Sequence, residues 1–280
     1  MAKKHLGQNF LFDPSILHRI IEVSGIAPED TVVEIGPGPG RLTLLLAEAA
    51  RRVVAVELDE ELYEKLRQEA LGYRNVELIH ADALTYPYEE LEPFKVVANI
   101  PYYITTPLIF RLIDAREKLK SMTLTIQKEV AERIVAGTGT KDYGVLTIML
   151  QYYSTARIAF IIPRGAFRPV PEVDSAVIHL EIRESPKVSV QDERLFFATV
   201  RTAFAQRRKT LANALKPLLK ESREGLLQAG IDPSRRAETL SIEEFASLAD
   251  TLRSFLHPVR AEDLQPPKRE RPTPGADSRS

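Results

Sequence analysis

A glycine-rich loop is the first segment of the sequence whose residue types and spacing point to chemistry. The segment Glu34-Ile35-Gly36-Pro37-Gly38-Pro39-Gly40 follows a short apolar run and precedes a helical pattern. Glycine has no Cβ, so the backbone there can approach a ligand closely, and the following helix presents free N–H groups. The segment therefore predicts a ligand-binding loop at the end of a buried strand, and the alternative is a tight turn that binds nothing.

The spacing of the loop separates two classes of cofactor. Dinucleotide-binding loops usually run Gly-x-Gly-x-x-Gly, whereas this loop runs Gly-x-Gly-x-Gly, with an acid two residues before Gly36. An acid in that place suits a ligand that carries a cation and no pyrophosphate. The loop thus favours S-adenosylmethionine, with its sulfonium and its amino-acid end, over NAD, and a dehydrogenase stays open as a rival.

Two further acids follow neighbouring apolar runs. Glu57 ends the run after the loop, 17 residues beyond Gly40, and Asp82 follows the next run. A carboxylate at the first position can accept both hydroxyls of a ribose. A carboxylate at the second position can accept from the exocyclic amine of an adenine, so the pair predicts a cofactor that contains a nucleoside.

The segment Asn99-Ile100-Pro101-Tyr102 ends the fourth apolar run. An exocyclic amine on a base is a poor nucleophile because its lone pair is delocalised into the ring. The side-chain carbonyl of Asn99 and the backbone carbonyl of Ile100 or Pro101 can each accept one N–H and turn the lone pair toward an electrophile. Tyr102 offers a ring on which a base can stack, typically for ~1–3 kcal/mol. Taken alone, the segment is equally typical of a turn with a core tyrosine.

An alternation of strands and helices must position these residues. Asp13-Pro14 predicts a helix start, and Gly25 predicts its end. The apolar runs that predict buried strands are 31–35, 52–57, 76–79, 95–98 and 123–126. Helical patterns lie between most of them, so we expect an α/β, Rossmann-like domain with a mostly parallel sheet and helices on both faces. Runs at 158–162 and 176–182 predict an antiparallel edge hairpin.

The sequence predicts three regions. A catalytic domain that binds S-adenosylmethionine is expected over 1–184, followed by a smaller all-helical domain over 185–257, with helices at 194–205, 210–219, 222–229 and 241–256. From Pro258 onward five of 23 residues are proline and large apolar residues nearly vanish. A segment of that composition cannot bury enough apolar surface to fold, so we expect a disordered tail over 258–280.

Composition excludes several classes of protein. The 280 residues include no cysteine, which rules out disulfides, thiolate metal sites and a cysteine nucleophile. The five histidines show no ligand spacing, so no metal site is predicted. The sequence contains no run of about 18 apolar residues, so no membrane span is predicted. The N-terminus lacks the apolar core of a signal peptide. We therefore expect a soluble cytoplasmic protein.

The net charge of −1 conceals an uneven distribution. Residues 1–180 carry 20 basic and 24 acidic side chains, a net of −4, and residues 181–280 carry 18 basic and 15 acidic, a net of +3. Within 201–220 there are six basic residues and no acidic one. Such a run is either a solvated helix face or a site for phosphates.

Taken together, the motifs resemble the rRNA adenine N6-dimethyltransferase family, and within it the bacterial small-subunit (16S) enzymes of the kasugamycin-sensitivity type. The resemblance covers residues 3 to about 256. Besides the segments already described, the matching motifs are Gly7-Gln8-Asn9-Phe10-Leu11, Gln127-Lys128-Glu129-Val130, the stretch 167–177 that begins Phe167-Arg168-Pro169, Ala205-Gln206-Arg207-Arg208-Lys209-Thr210-Leu211, and Gly230-Ile231-Asp232-Pro233. His5-Leu6 and Tyr103 depart from the commoner family pattern.

The resemblance implies a role for residues in each motif. The residues expected to bind S-adenosylmethionine, with segment 1–12 closing over it, are Gln8, Asn9, Leu11, Gly36, Gly38, Glu57, Asp82 and Asn99. The implied catalytic residues are Asn99, which would hold the target amine, and Tyr102 and Phe167, which would sandwich the target adenine. The implied reaction is dimethylation at N6 of two adjacent adenosines in a hairpin near the 3′ end of small-subunit rRNA.

The implied partners are small-subunit rRNA and the immature small ribosomal subunit, bound by a monomer that needs no membrane. Arg207, Arg208 and Lys209 are the residues expected to contact RNA, with Lys3, Lys4 and His5 as a second basic contact. The competing interpretation pairs Arg207 and Arg208 with carboxylates of the catalytic domain.

Besides the dehydrogenase, three other functions stay open at this point. The nearest is a large-subunit rRNA adenine methyltransferase of the macrolide-resistance type, which shares the catalytic motifs; 167–177 and 230–233 favour the small-subunit type. The others are an assembly checkpoint that binds immature subunits and a transcription-factor relative of the fold.

Overall fold

The computed structural model describes residues 9–256 of the 280. The chain divides into two compact units, Met1–Lys187 and Val188–Ser280, of which 9–187 and 188–256 are described. The predicted tail over 258–280 lies outside the described residues. So do Gln8 and the basic residues Lys3, Lys4 and His5.

Unit 1 is built on a seven-stranded sheet, with strands numbered in chain order. In spatial order they are β4 (Val76–His80), β3 (Arg52–Glu57), β2 (Thr31–Ile35), β5 (Phe94–Asn99), β6 (Leu119–Gln127), β9 (Ser175–Ile182) and β7 (Ser154–Ile162). Every pair from β4 to β6 is parallel, and β9 is antiparallel to both of its neighbours. The predicted mostly parallel α/β architecture is confirmed. The two antiparallel runs do pair, but the later strand lies inside the sheet and β7 forms its edge.

Two short strands form a separate antiparallel ribbon in unit 1. They are β1 (Phe10–Leu11) and β8 (Phe167–Arg168), and Leu11 pairs with Phe167. The ribbon joins the motif that ends at Leu11 to the motif that begins at Phe167, more than 150 residues later in the sequence. Neither strand is long enough to show a period-2 pattern, so the sequence does not predict them.

Six helices accompany the sheet: α1 (Pro14–Ser24), α2 (Arg41–Ala49), α3 (Glu60–Glu69), α4 (Thr105–Asp114), α5 (Lys128–Ile134) and α6 (Val145–Tyr153). As expected, the Asp13 side chain caps α1 by accepting from the Ser15 N–H at 2.9 Å, and Gly25 ends it at a φ of 57°. The sequence pattern does not predict α4, because the two threonines that begin it have a low helix propensity.

The central strands explain why the sheet is mostly parallel. All five residues of β2 are buried, and so are five of the six in β3. Strands covered on both faces read as continuous apolar runs, as these do. The chain leaves β2 toward β3 in one direction and enters β5 on the other side, so the β2–β5 pair is the point where the strand order reverses. Ligands bind in the crevice that opens there, at the carboxyl ends of the strands.

The described residues of unit 2 form helices joined by loops, as predicted, and no strand occurs among them. Its helices are α7 (Glu193–Ala205), α8 (Leu211–Ala214), α9 (Ser222–Gln228) and α10 (Ile242–Arg253). The helix predicted over 210–219 is only one turn long, because Pro217 has no N–H to continue it. A capping box begins α10: Ser241 Oγ accepts from the Glu244 N–H at 3.2 Å, and Glu244 Oε2 accepts from the Ser241 N–H at 2.9 Å.

No helix within residues 9–256 is both long enough and apolar enough to cross a membrane.

Candidate active site

The glycine loop after β2 has the backbone that its composition predicts. Gly36, Gly38 and Gly40 have φ values of 66°, 57° and 79°, a region that disfavours any side chain with a Cβ. A Cβ at Gly38 would lie 2.7 Å from Cε1 of Phe10. The Phe10 ring therefore packs directly against the loop, and only glycine leaves it room.

A cavity of about 220 Å³ opens beside this loop in unit 1. The predicted site residues that line it are Asn9, Gly36, Gly38, Glu57, Asp82, Asn99 and Tyr102. They come from the carboxyl ends of β2, β3, β4 and β5 and from the segment before β1. The fold thus brings together seven residues that the sequence spreads over more than 90 positions.

Backbone amides hold the carboxylate of Glu57 in a defined orientation. Oε2 accepts from the Gly38 N–H at 3.0 Å, and Oε1 accepts from the Asp59 N–H at 2.9 Å. Burial raises the pKa of Glu57, while these amides oppose the shift. Each carboxylate oxygen keeps a lone pair for a hydroxyl in the cavity, so Glu57 is suited to a ribose.

Asp82 lies one strand farther along the same edge. The Ala81 N–H donates to the Glu57 carbonyl at 3.0 Å, which links the ends of β3 and β4. Oδ1 of Asp82 accepts from the Leu84 N–H at 2.8 Å, so its carboxylate is also oriented by the backbone. The two acids line one cavity, as a nucleoside with a ribose and an exocyclic amine requires.

Glu34 is buried beneath the glycine loop. It is 2% exposed, and its Oε2 has no hydrogen-bond partner among the described residues. Burial, reinforced by the nearby charge of Glu57, raises the pKa of Glu34 to about 8. Glu34 also lines a smaller cavity with Gly36 and Asn99. A cationic group that a ligand brought to this loop would favour the ionised form of Glu34 and could supply the partner that Oε2 lacks.

Asn99 and Tyr102 also line the main cavity. Nδ2 of Asn99 donates to the backbone carbonyl of Asn9 at 2.9 Å, so its amide donor is engaged. The Tyr102 hydroxyl and Ser175 Oγ form a hydrogen bond of 2.7 Å. The Pro101 carbonyl already accepts from the Ile104 N–H at 3.1 Å, which favours the Ile100 carbonyl as the second acceptor for an amine.

Two predicted site residues lie in the core and do not line this cavity. Phe167 is 1% exposed, and with Leu11 it belongs to a hydrophobic cluster that includes Leu17 and Ile20. The pairing of β1 with β8 buries both side chains. Phe167 therefore lies in the core cluster in the described conformation, and its contact with the target base stays a prediction.

The predicted RNA-binding residues all lie in unit 2. Arg207, Arg208 and Lys209 are exposed and follow the end of α7. The other basic side chains of 201–220 are exposed as well: Arg201, Lys216 and Lys220. The segment therefore presents six cations to solvent.

Several cavity-lining residues escape prediction from sequence. Phe10, Leu58, Leu62 and Tyr103 all line the cavity. Tyr103 is 55% exposed and Leu58 is 49% exposed. The one available signal is position, since Leu58 directly follows Glu57 and Tyr103 directly follows Tyr102.

Comparisons with known proteins show the family to which the chain belongs. Residues 1–254 match the model of a family described as ribosomal RNA adenine dimethylase. A Listeria welshimeri protein named ribosomal RNA small subunit methyltransferase A is 49% identical over 272 residues, which cover 91% of this chain and 92% of that protein. A Clostridium botulinum protein of the same name is 50% identical over 260 residues, with 90% and 94% covered.

Two solved structures of methyltransferases resemble this chain in fold and in sequence. A dimethyladenosine transferase from Plasmodium falciparum has a TM-score of 0.76 and 29% identity, covering 85% of this chain and 95% of that chain. The 23S rRNA methyltransferase ErmE has a TM-score of 0.69 and 31% identity, covering 88% of this chain and 100% of its own. The two relatives named for the small subunit are thus more similar in sequence to this chain than ErmE is.

Proposed function

Because the chain belongs to the ribosomal RNA adenine dimethylase family, we propose that the cavity beside the glycine loop is the site where adenine N6 is methylated. The protein is an S-adenosylmethionine-dependent 16S rRNA adenine-N6 dimethyltransferase. The observation that supports this site best is that Asn99, Glu57 and Asp82 line one cavity at the crevice between β2 and β5.

The substrate is small-subunit rRNA, and the rival large-subunit reaction is disfavoured. Relatives named for the small subunit are about half identical to this chain over nine-tenths of its length. ErmE, named for 23S rRNA, shares 31%. The catalytic motifs occur in both types, so the distinction comes from the rest of the chain.

The residues of the cavity fit S-adenosylmethionine, which supplies an electrophilic methyl group on a sulfonium. We assign Glu57 to the ribose hydroxyls and Asp82 to the adenine amine. Gly36, Gly38 and Asn9 would lie against the methionine end, with Glu34 below the loop as the buried acid that matches a cation. Gln8 and Leu11 stay predicted contacts, since the first lies outside the described residues and the second is in the core.

Asn99 prepares the target amine. Its Nδ2 is engaged by Asn9, so Oδ1 is the atom that accepts one N–H of the amine, and the Ile100 carbonyl accepts the other. Together they turn the nitrogen lone pair toward the methyl donor, and one proton leaves the nitrogen as the new bond forms. The site acts by positioning and by preorganised polar groups.

Tyr102 supplies the ring for the target base in the described conformation. It lines the cavity next to Asn99, and a base stacked there would have its amine near Oδ1. Phe167, on the strand β8 that pairs with β1, would supply the ring on the other side of the base. We keep that second contact as a proposal.

Finer features of the reaction are also proposals. We propose that two adjacent adenosines in a hairpin near the 3′ end are the targets, that the immature small subunit is the substrate, and that a monomer acts in the cytoplasm. Unit 2 would recognise RNA through Arg207, Arg208 and Lys209. Its six exposed cations in 201–220 support this assignment.

Methyl transfer onto undermethylated small subunits, compared with free rRNA and with large subunits, tests the proposal. We expect N6-dimethyladenosine in small-subunit rRNA, with subunits methylated faster than free rRNA. Transfer confined to large-subunit rRNA would overturn the assignment. Binding of subunits without any transfer would support the assembly-checkpoint alternative instead.

A further inference from the structure

The hydroxyl of Ser175 is the polar partner of the ring that faces the target base. The Tyr102 hydroxyl and Ser175 Oγ lie 2.7 Å apart. Ser175 is fully buried, at 0% exposure, whereas the Tyr102 side chain is half-buried and lines the cavity. The hydrogen bond therefore links a cavity wall to the interior of the sheet.

The backbone alone leaves the Tyr102 ring free to rotate. Tyr102 begins a single 3₁₀ turn, Tyr102–Ile104, which has no side-chain cap. Among the described residues, no other aromatic ring stacks on Tyr102. The hydrogen bond to Ser175 is thus the polar contact that holds the far end of the ring.

Ser175 is a rigid anchor for that bond. It is the first residue of β9 and pairs with Gln127 of β6 on one side and Ile162 of β7 on the other. The preceding residue, Asp174, is also held, because its carbonyl accepts from the Lys128 N–H at 3.0 Å and its Oδ1 accepts from the Arg164 N–H at 2.9 Å. The hydroxyl has little freedom to follow a moving ring.

We propose that Ser175 is a positioning residue for methyl transfer: its hydroxyl holds the Tyr102 ring at the tilt that places a stacked adenine with its amine at Asn99. This inference rests on the proposed function of the cavity. It assigns no chemical step to Ser175. Because small misplacements of reacting atoms can cost about 100-fold in rate, the loss of one hydroxyl outside the cavity should be measurable in the transfer step.

The test measures single-turnover methyl transfer to rRNA at saturating concentrations, together with the Kd for S-adenosylmethionine and the melting temperature. Ser175→Ala should slow the transfer roughly 10-fold or more and leave the cofactor Kd unchanged. Ser154→Ala is the matched control, since Ser154 is also a buried serine at the start of a strand and donates to the Leu150 carbonyl at 2.7 Å. It should lower the melting temperature similarly without slowing transfer, and Ser175→Thr, which keeps a hydroxyl, should restore much of the rate.

Tyr102→Phe provides the second half of the test. If the two hydroxyls act as one contact, the double variant Ser175→Ala/Tyr102→Phe should be no slower than the slower single variant. A rate for Ser175→Ala equal to that of Ser154→Ala, or a double variant whose loss is the product of the single losses, would overturn the proposal. If the wild type methylated only large-subunit rRNA, the proposed function would fail, and the same ratios on that substrate would still decide the role of Ser175.

Discussion

The side-chain amide of Asn99 donates a hydrogen bond of 2.9 Å to the backbone carbonyl of Asn9, 90 residues earlier in the chain. This contact orients the side chain, because a carbonyl can bind only the NH₂ end of the amide. The side-chain oxygen is left as an acceptor for a ligand. The segment before β1 thus orients the residue that we assign to the target amine.

Replacement of Asn99 should separate binding from turnover. We expect Asn99→Ala to slow single-turnover transfer roughly 100-fold, the scale at which loss of one preorganised polar partner acts. The Kd for S-adenosylmethionine should change little, because Glu57 and Asp82 are intact. Asn99→Asp keeps an acceptor but loses the donor to Asn9, so its transfer rate should lie between those of the wild type and Asn99→Ala. Normal turnover in Asn99→Ala would contradict the assigned role.

Glu57 should decide cofactor affinity. In Glu57→Gln an NH₂ group would face the N–H of either Gly38 or Asp59, and a charge-assisted acceptor for the ribose would be lost. Hydrogen bonds to charged groups contribute about 1.5–3 kcal/mol, so the cofactor Kd should rise roughly 10- to 100-fold. Isothermal titration measures it. Glu60→Gln, three residues later on an exposed position, is the control, and equal Kd values for the two variants would refute the ribose contact.

Glu34 should make stability depend on pH. Its folded-state pKa of about 8 lies above the ordinary value of 4.5. The folded state therefore holds a proton that the unfolded state releases, and the stability contribution is present below pH 4.5 and lost as pH rises to 8. Glu34→Gln has no proton to release, so this pH-dependent loss of stability should disappear in the variant. Its free energy of unfolding relative to wild type should rise between pH 4.5 and 8, by up to roughly 1.4 kcal/mol per pKa unit. A difference independent of pH in urea titrations would contradict the buried neutral acid.

Phe167 should affect stability strongly. Because the ring is buried in the core cluster, Phe167→Ala should lower the free energy of unfolding by about 3–5 kcal/mol. The nearby Val170→Ala, at an exposed position, should change it by less than about 0.5 kcal/mol. Urea unfolding measures both. Full stability of Phe167→Ala combined with slow methyl transfer would instead support the predicted sandwich with Tyr102.

Charge reversal at Arg208 tests RNA recognition by unit 2. Within the described part of that unit, Arg208 has no ion-pair partner. We expect Arg208→Glu to weaken rRNA binding and to lower the slope of log affinity against log salt by about 1, with an unchanged melting temperature. Arg194→Glu, also exposed and in the same unit, is the control. A lowered melting temperature with unchanged rRNA affinity would support the alternative ion pairs with catalytic-domain carboxylates.

The sequence by itself determined the elements that hold the site and most of its members. Buried parallel strands are read from apolar runs, and the glycine loop, Glu57, Asp82 and Asn99 each follow such a run. Because parallel strands end at one edge of a sheet, residues at those ends must meet there. Local pattern and topology are enough for this inference, and the cavity confirms that these residues lie together.

Only the tertiary structure decided the contacts that link distant parts of the chain. Leu11 pairs with Phe167, and the Phe167 ring, which the family resemblance implies as a contact of the target base, is buried. No local sequence pattern predicts a ribbon of two-residue strands. The bonds from Asn99 to Asn9 and between Tyr102 and Ser175 are of the same kind. Each joins residues more than 70 positions apart, and such contacts depend on how strands and loops pack rather than on the period or the composition of any one segment.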